Sequence, residues 1–468
     1  MKNITVKNII EVTEGKLIIG KEELICENFS KDTRTIQKGD IYIGIKGEKF
    51  DGNQFWKQAL DNGADAVIIE NIEITSEEKE KYSNKTIIEV KDTLNALYEI
   101  AKYKRSLYDI PVVAITGSVG KTSTKDIIAS VVNTKYKTLK TEGNNNNNIG
   151  LPLTILKLKN HEALVIEMGM NHFKEISLLT EIAKPTLAVI TNIGTSHIGN
   201  LGSRENILKA KLEIIEGMKK PNIIINNDND LLHKWYEENK DKIEIHTIGI
   251  DNESELVAEN IKLQEENSEF KAVSKFYNES ENSKKLDKLE IKVPVGGKHF
   301  IYNALCAVEV GHILGISNEQ IQNGISRFEL TKKRMDIKKL ENGALIINDA
   351  YNASFESMKV SLEFLSKHTG KRKIAVLGDM FELGNYTEEL HRKVGKEVTH
   401  NDIDILICSG KNSKYIIDEA NQKNNLKTYY MNNNEQIVEM LKNELKDGDV
   451  VLVKASNGMK FFEICQKL

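Results

Sequence analysis

The length, composition and charge of the chain are those of an ordinary globular protein. Its 468 residues allow about three domains at roughly 100–200 residues each, and 40% hydrophobic with 29% charged residues is typical of a soluble fold. A net charge of −4 argues against a nucleic acid or an anionic membrane as partner, and no apolar run approaches the ~20 residues that span a bilayer.

The N-terminal segment and the cysteines predict a protein of the cytoplasm, and we expect it to be a monomer. The N-terminal segment, MKNITVKNIIEVTEGK, lacks the continuous apolar core of a signal peptide. The cysteines are far apart in sequence and form no CxxC pair, which suits a reducing cytosol and neither a disulfide framework nor a cysteine zinc site. They are Cys26, Cys306, Cys408 and Cys465.

Three sections follow one another along the chain and predict an α/β protein. The first mixes short apolar runs, such as DIYIGI at 40–45, with polar turns. The second alternates apolar β-branched runs with amphipathic helices, which indicates a parallel sheet covered on both faces. A polar stretch at 278–288 is predicted to be a solvated loop, and a second alternation begins near 335. The predicted domains are 1–105, 106–328 and 329–468.

A glycine-rich loop between a strand and a helix predicts nucleoside triphosphate binding. The strand VVAIT leads into Gly117, Ser118, Val119, Gly120, Lys121, Thr122 and Ser123. Glycines let backbone N–H groups surround phosphate oxygens, the lysine and the helix N-terminus add positive charge, and the threonine can ligate magnesium. Ile115 stands where the strict GxxxxGK[ST] pattern has glycine, so the loop is a variant form.

Lys211 lies in the middle of an apolar helix face. In a helix predicted over about 204–218, that face carries Ile207, Leu208, Ile214, Ile215 and Met218. A buried ammonium is costly, so such a lysine loses its proton or finds a partner; the alternative is a side chain that reaches past its neighbours to solvent. Glu167 and His197 follow two strands of the predicted parallel sheet, whose ends meet beside the phosphate loop and suit a metal–ATP site.

The asparagine run at 144–148 has two interpretations. A run of one polar residue is by default a loop or a disordered tract. The alternative is that part of the run belongs to the site, because it leads directly into IGLPLT, which is not a disordered composition.

Several colinear segments resemble the Mur ligase family of ATP-dependent amide ligases. They are DTRTIQKGDIYIGIKGEKFDG (32–52), AITGSVGKTST (114–124), EMG (167–169), TNIGTSHIGNLGS (191–203), AKLEI (210–214), GGKHFIYNA (296–304), KKRMD (332–336) and NDAYNAS (348–354). The resemblance implies a UDP-substrate domain, a central P-loop ATPase domain and a C-terminal Rossmann-like domain. GNNNNNIGLPLT and DAYNASFESM are most similar to the family members that join D-Ala-D-Ala to UDP-N-acetylmuramoyl-tripeptide in peptidoglycan synthesis.

The resemblance also implies roles for individual residues. The loop at 117–123, with Arg334, would hold the ATP phosphates, Asn303 the adenine and Asp349 the ribose. Thr122 and Glu167 would bind one magnesium, and Glu167, His197 and a carbamylated Lys211 a second, so that Lys121, Lys211 and His197 are the implied catalytic residues. The implied substrate-binding residues are Asp32, Thr33, Arg34, Asn146, Asn147, Tyr351 and Asn352.

Three departures from the family pattern leave other functions open. Ser354-Phe355 replaces Asn-Pro, Phe300 replaces an asparagine, and Ala455 and Asn457 change the motif KGSRGM. The rival hypotheses are another ligase of the superfamily, such as a folylpolyglutamate synthase type, a phosphoryl-transfer enzyme that uses the same loop, and a nucleotide-binding assembly protein with a decayed site.

Overall fold

The computed structural model describes residues 3–47, 50–274, 288–331, 334–422 and 426–468. It shows a mixed α/β protein with a separate main sheet in each of the three predicted sections, which confirms the predicted fold class. We therefore propose 1–105, 106–328 and 329–468 as the domains. Residues 278–287 of the predicted loop lie outside the described residues. None of the described helices is long and apolar enough to cross a membrane.

The N-terminal section contains a five-stranded sheet in the order β2-β7-β6-β5-β4, parallel except for β2, and a two-stranded antiparallel pair of β1 and β3. Its elements are β1 Ile4–Thr5, α1 Val6–Thr13, β2 Lys16–Ile19, β3 Ile25–Cys26, β4 Phe29–Ser30, β5 Ile41–Ile43, α2 Trp56–Asp61, β6 Ala66–Ile69, α3 Ser76–Lys81, β7 Thr86–Glu89 and α4 Thr93–Ser106. Helix α4 packs on α1 and also on two helices of the central section, so it joins the two.

The central section contains a nine-stranded sheet in the order β16-β15-β14-β13-β12-β11-β8-β10-β9. The elements are β8 Val112–Thr116, α5 Lys121–Val132, β9 Thr138–Lys140, α6 Gly150–Leu156, β10 Ala163–Glu167, α7 Glu175–Ala183, β11 Leu187–Ile190, α8 Ile198–Leu201, α9 Arg204–Leu212, β12 Asn222–Asn226, α10 Asp230–Asn239, β13 Glu244–Gly249, β14 Leu256–Leu263, β15 Ser268–Ser274, β16 Leu289–Val293, α11 Lys298–Ile313 and α12 Asn318–Ser326. Strands β8, β10 and β11 are fully buried, as expected for parallel strands covered on both faces. Strands β15 and β16 add an antiparallel edge that the sequence pattern did not predict.

The C-terminal section contains a six-stranded sheet in the order β17-β18-β22-β19-β20-β21, parallel except for β17. Its elements are β17 Asp336–Lys339, β18 Leu345–Asn348, α13 Phe355–Ser366, β19 Arg372–Gly378, α14 Thr387–His400, β20 Ile405–Ser409, α15 Lys414–Ala420, β21 Lys427–Met431, α16 Asn434–Glu444, β22 Asp449–Lys454 and α17 Phe462–Lys467. Short 3-10 helices occupy Thr33–Thr35, Gly52–Phe55, Glu213–Ile215, Gly384–Tyr386 and Asn457–Met459.

Candidate active site

The glycine-rich loop joins β8 to α5 in a conformation that only glycine allows at two positions. Gly117 has φ +149°, and a Cβ placed on it would lie 1.9 Å from Thr191 Oγ1. Gly120 has φ +85° at the N-cap of α5. The segment after β11 supports the loop, since Ser118 N donates to Asn192 O and Val119 N to Asn192 Oδ1, each at 3.0 Å. The loop lies between a strand and a helix, as the sequence pattern predicted, and the neighbouring strand end holds it in place.

Two lysines meet at one carbonyl of this loop. Lys121 Nζ donates to Gly117 O at 2.7 Å, and Lys211 Nζ donates to the same oxygen at 2.9 Å. Lys211 is 1% exposed, so the alternative in which it reaches solvent is wrong. Burial, together with the charge of Lys121, lowers the pKa of Lys211 well below its ordinary value. Burial and Arg334 also lower the pKa of Lys121, while Glu167 acts in the opposite direction.

The helix that carries Lys211 is shorter than predicted. Helix α9 ends at Leu212, and the 3-10 helix Glu213–Ile215 follows it. Glu213 is buried and accepts hydrogen bonds from Lys174 N at 2.8 Å and Ser177 N at 3.1 Å. These N–H groups start helix α7 and have no partner within it, so a carboxylate stabilises them. The change of helix type brings Glu213 round to that position.

Oxygen ligands of the type that magnesium prefers lie beside the phosphate loop. Thr122, in the first turn of α5, donates its hydroxyl to Glu167 Oε2 at 2.8 Å. Asn146 Nδ2 donates to Glu167 Oε1 at 2.7 Å. Glu167 ends β10, which pairs directly with β8, so the predicted meeting of the strand ends occurs. Hydroxyl and carboxylate oxygens of this kind fit a magnesium ion.

The asparagines of the run at 144–148 have different environments in the structure. The side chains that line the active-site cavity are Asn144, Asn146 and Asn147. Asn148 instead donates to the Tyr98 hydroxyl at 2.9 Å, and Asn145 is exposed. Asn147 Oδ1 also accepts from Gly150 N at 2.8 Å at the start of α6, so this residue has a structural role as well.

His197 contacts the C-terminal domain. Its Nδ1 lies 2.5 Å from Oε2 of Glu382, and this contact lowers the pKa of the Glu382 carboxyl. Nearby, the Thr195 hydroxyl donates to Glu356 Oε2 at 3.0 Å, and Gly199 N donates to Glu382 O at 2.9 Å. The segment after β11 therefore supports the phosphate loop on one side and binds the C-terminal domain on the other.

Most of the predicted site residues line one cavity of about 330 Å³ between the central and C-terminal domains. From the C-terminal side it receives the guanidinium of Arg334, which lies 4.0 Å from the centroid of the Tyr351 ring. Its predicted lining residues are Ser118, Val119, Gly120, Lys121, Thr122, Ser123, Asn146, Asn147, Glu167, His197, Arg334, Asp349, Tyr351 and Asn352. The cavity thus brings cationic, acidic and amide groups from two domains together.

Asp349 is engaged within its own domain. Its Oδ2 forms an ion pair with Lys454 Nζ at 2.5 Å and accepts from the Ser361 hydroxyl at 2.7 Å. Both partners line the cavity and were not predicted as site residues, although Lys454 begins the motif KASNGM. The place of Lys454 at the start of this motif, at the end of β22, was the sequence feature that could have identified it.

Some predicted residues lie away from the cavity lining. Asn303 is buried in α11, where its Oδ1 accepts from the Thr124 hydroxyl at 2.9 Å and its Nδ2 has no partner among the described residues. In the N-terminal domain, Arg34 Nε and Nη2 bind both carboxylate oxygens of Asp32, at 2.8 and 2.6 Å. The hydrogen bonds and charge of Arg34 lower the pKa of Asp32 to about 2. Thr33 lies between these two residues in the sequence. Their predicted roles in adenine and UDP binding stay predictions.

The departures from the family motifs have local explanations at two positions. Ser354 is the N-cap of α13 and accepts from Ser357 N, so it satisfies the helix end as the usual asparagine would. Phe300 is buried, with its ring centroid 4.2 Å from that of His299. Ala455 is also buried, against Gly378, whereas nothing in the structure explains Asn457.

Three family models match the chain. The Mur ligase family catalytic domain matches residues 28–105, the Mur ligase middle domain residues 115–311, and the Mur ligase glutamate ligase domain residues 333–457. The UDP-N-acetylmuramoyl-tripeptide–D-alanyl-D-alanine ligase of Bacillus subtilis is 37% identical, over 99% of this chain and 98% of its own length. The enzyme of the same name from Escherichia coli is 30% identical, over 89% and 88%.

Solved structures are similar over the whole length. MurF from Acinetobacter baumannii superposes with a TM-score of 0.87 at 27% identity, with 100% of this chain and 98% of that one covered. MurF from Thermotoga maritima, solved in complex with ADP, gives a TM-score of 0.79 at 28% identity, with 94% and 96% covered.

Proposed function

The chain belongs to the Mur ligase family, and we propose that it joins D-Ala-D-Ala to UDP-N-acetylmuramoyl-tripeptide, using ATP and releasing ADP and phosphate. The observation that carries this function is the cavity in which the loop residues Lys121 and Thr122 face Arg334 from the C-terminal domain. The relatives that share the name of this activity match nearly the full length of the chain.

The reaction requires activation of a carboxylate. A free carboxylate is a poor electrophile, so one of its oxygens first attacks the γ-phosphorus of ATP, the bond to ADP breaks, and an acyl phosphate forms. The amine of D-Ala-D-Ala then attacks the acyl carbon, phosphate leaves, and the amine loses a proton as the amide forms. Both steps develop negative charge on phosphate oxygens, which cationic groups held in advance stabilise.

The residues of the cavity can serve these steps. Lys121, the N–H groups of the loop and the N-terminus of α5 would hold the β- and γ-phosphates, and Arg334 would reach the γ-phosphate from the opposite domain. Arg334 Nε has no hydrogen-bond partner among the described residues, so it is available for such a contact. Asn146 and Thr122 orient the Glu167 carboxylate between them.

Magnesium fits beside Thr122 and Glu167, whose oxygens are its preferred ligand type. When bound, it would neutralise part of the phosphate charge. We propose His197, Glu167 and a carbamylated Lys211 as the set for a second ion. In this conformation His197 Nδ1 faces Glu382, so only its other ring nitrogen remains for that role.

Carbamylation suits the environment of Lys211. Its lowered pKa favours the neutral amine, which can attack carbon dioxide, form an N–C bond and release a proton. The product is an anion that removes the repulsion with Lys121. Because a carbamate nitrogen keeps one N–H, it can still donate to Gly117 O.

Contacts between the domains would exclude water from the acyl phosphate. Glu356 and Glu382 approach the segment 194–199 of the central domain from the C-terminal side. A closed cleft protects a reactive intermediate from hydrolysis and completes a site whose parts belong to different domains.

The decisive experiment is phosphate release from ATP with UDP-N-acetylmuramoyl-tripeptide, with and without D-Ala-D-Ala. We expect release that depends on the dipeptide and an equimolar pentapeptide product. Glutamate as the acceptor separates a folylpolyglutamate-type ligase, and a phosphorylated final product without an amide would indicate a phosphoryl-transfer enzyme. ATP binding without acceptor-dependent release would contradict the proposal and favour a decayed site.

A further inference from the structure

A second cluster of metal-ligand side chains lies in the central domain, outside the active-site cavity. His246 belongs to β13, Glu255 directly precedes β14, and Glu309 lies in α11. His246 Nδ1 is 3.4 Å from Glu255 Oε2 and 3.2 Å from Glu309 Oε1, and the three ligand atoms all lie within 4.8 Å of one another. Three separate segments of the chain therefore bring nitrogen and oxygen ligands to one point.

The spacing of these atoms fits a metal ion better than a direct hydrogen bond. Charge-assisted N–H···O bonds are typically about 2.7–2.9 Å long. Zinc binds nitrogen and oxygen ligands at about 2.0–2.1 Å in a tetrahedron, which places neighbouring ligand atoms about 3.3 Å apart. The two distances from His246 Nδ1, 3.2 and 3.4 Å, lie on either side of this value.

His312 stands beside this cluster, although its ring nitrogens are not among the three ligand atoms that lie within 4.8 Å of one another. Its Nδ1 is 3.9 Å from Glu309 Oε2, and its Nε2 is 3.4 Å from Asn318 Oδ1. An N–H directed from Nε2 to that amide leaves the lone pair of Nδ1 facing Glu309, which is how outer partners orient metal-bound histidines. Glu309 and His312 stand three residues apart on one helix, the Glu-x-x-His spacing of carboxylate metal sites in helical proteins.

The orientation of His246 is compatible with the same role. Its Nε2 is buried without a hydrogen-bond partner among the described residues and lies 3.7 Å from Glu244 Oε1. A hydrogen on Nε2 would point towards that carboxylate and leave Nδ1 as the ligand atom.

The charges of the cluster favour a cation. Within the part of the chain that the structure describes, the ion pairs of Glu255 and Glu309 are formed with histidines and with no lysine or arginine. A proton is the competing occupant: burial opposes it, but the two carboxylates outweigh burial and raise the pKa of His246 to about 10. A divalent ion would supply more positive charge at the same point.

We propose that His246, Glu255 and Glu309, with His312 beside them, form a zinc site that ties β13 and β14 to helix α11. The site is separate from the ATP cavity, because Glu309 lies nine residues after Phe300, the last residue of α11 that lines the cavity, about 14 Å along the helix axis. Zinc would therefore stabilise the central domain without taking part in ligation, and the proposal does not depend on the proposed activity.

The test uses the full-length protein, freed of metal by a chelator, with excess magnesium to occupy the ATP site. Cobalt serves as the probe, since tetrahedral cobalt has visible absorption bands that zinc then removes. We expect one equivalent of cobalt to bind to the wild type. Glu309→Gln and His246→Gln should each weaken cobalt binding by about 100-fold or more. Loss of a residue that only orients a metal ligand already lowers metal affinity by up to about 100-fold. Glu259→Gln on β14 and the exposed His400→Gln are matched controls that should bind as the wild type does.

Thermal unfolding and ligase activity give a second readout. Zinc should raise the temperature midpoint of unfolding of the wild type and of the controls, but not of Glu309→Gln. The ligase activity of Glu309→Gln should stay within about twofold of the wild type, because Glu309 lies outside the catalytic cavity. If Glu309→Gln does not fold, Glu255→Gln replaces the most exposed of the carboxylates and is expected to lose cobalt binding equally. A wild type that binds no cobalt or zinc, or variants that bind as tightly as the wild type, would show that a proton holds the cluster and overturn the proposal.

Discussion

Replacing Lys211 by methionine should abolish ligation while leaving the fold intact. Methionine has a similar length and no charge, so it fills the same buried space beside the loop without the amine. Because Lys211 is 1% exposed, its contribution to the free energy of unfolding depends on its immediate neighbours in the protein and not on solvent. We therefore expect a small effect on stability and a large effect on activity.

The magnitude follows from the shared carbonyl. The nitrogens of Lys121 and Lys211 lie 2.7 and 2.9 Å from Gly117 O, so they are at most 5.6 Å apart. Two unit charges at that separation repel by about 3 kcal/mol at an effective dielectric constant of about 20. A charged, unmodified Lys211 would thus destabilise the loop, and Lys211→Met would then unfold at a higher temperature than the wild type. The carbamate proposed above removes this repulsion and keeps the hydrogen bond to Gly117 O, so we expect Lys211→Met to unfold at the same temperature as the wild type or slightly lower.

Activity should fall much more than stability. Loss of a group that holds a metal should lower turnover by about 100-fold or more, measured as phosphate release with both substrates. Short-chain carboxylates should restore part of the activity of Lys211→Ala by filling the vacant position, and removal of bicarbonate should slow the wild type reversibly. Lys209→Met, at an exposed position of the same helix, is the matched control. Near-normal turnover of Lys211→Met, or an unmodified Lys211 in a structure with nucleotide and metals bound, would refute the reasoning.

Three further changes test the cavity. Lys121→Ala should remove ligation with an unchanged circular dichroism spectrum, and a folded variant with wild-type turnover would contradict the assignment of the loop. Asn146→Ala should depress turnover far more than Asn145→Ala, because Asn146 contacts the Glu167 carboxylate; equal, mild effects would restore the interpretation of the run as filler. Glu382→Gln should reduce kcat by about three- to tenfold if its contact with His197 assists closure, and an unchanged kcat would show that the contact has no such role.

The asparagine run shows how far a motif can be carried from sequence to structure. The resemblance assigned Asn146 and Asn147 to the site, and both residues line the cavity. It could not show that Asn147 Oδ1 also accepts from Gly150 N at the start of α6, since that contact depends on the turn that follows the run. A mutation at Asn147 therefore combines a site effect with a helix-end effect of about 1 kcal/mol, and Asn146 is the clearer probe.

Contacts between residues far apart in the sequence were beyond prediction for a physical reason. Lys211 was identifiable because periodicity along one helix determines which face is apolar, a property local to a few turns. The partners of His197 and Asp349 depend on how two separately folded sheets meet and on how strand β22 returns between β18 and β19. Glu382 lies far from His197 in sequence, yet it faces that ring, and Lys454 reaches Asp349 from the neighbouring strand. Asp349 was assigned to ATP from its motif alone, yet it forms an ion pair with Lys454 that no local pattern reveals. ATP binding has to compete with that ion pair.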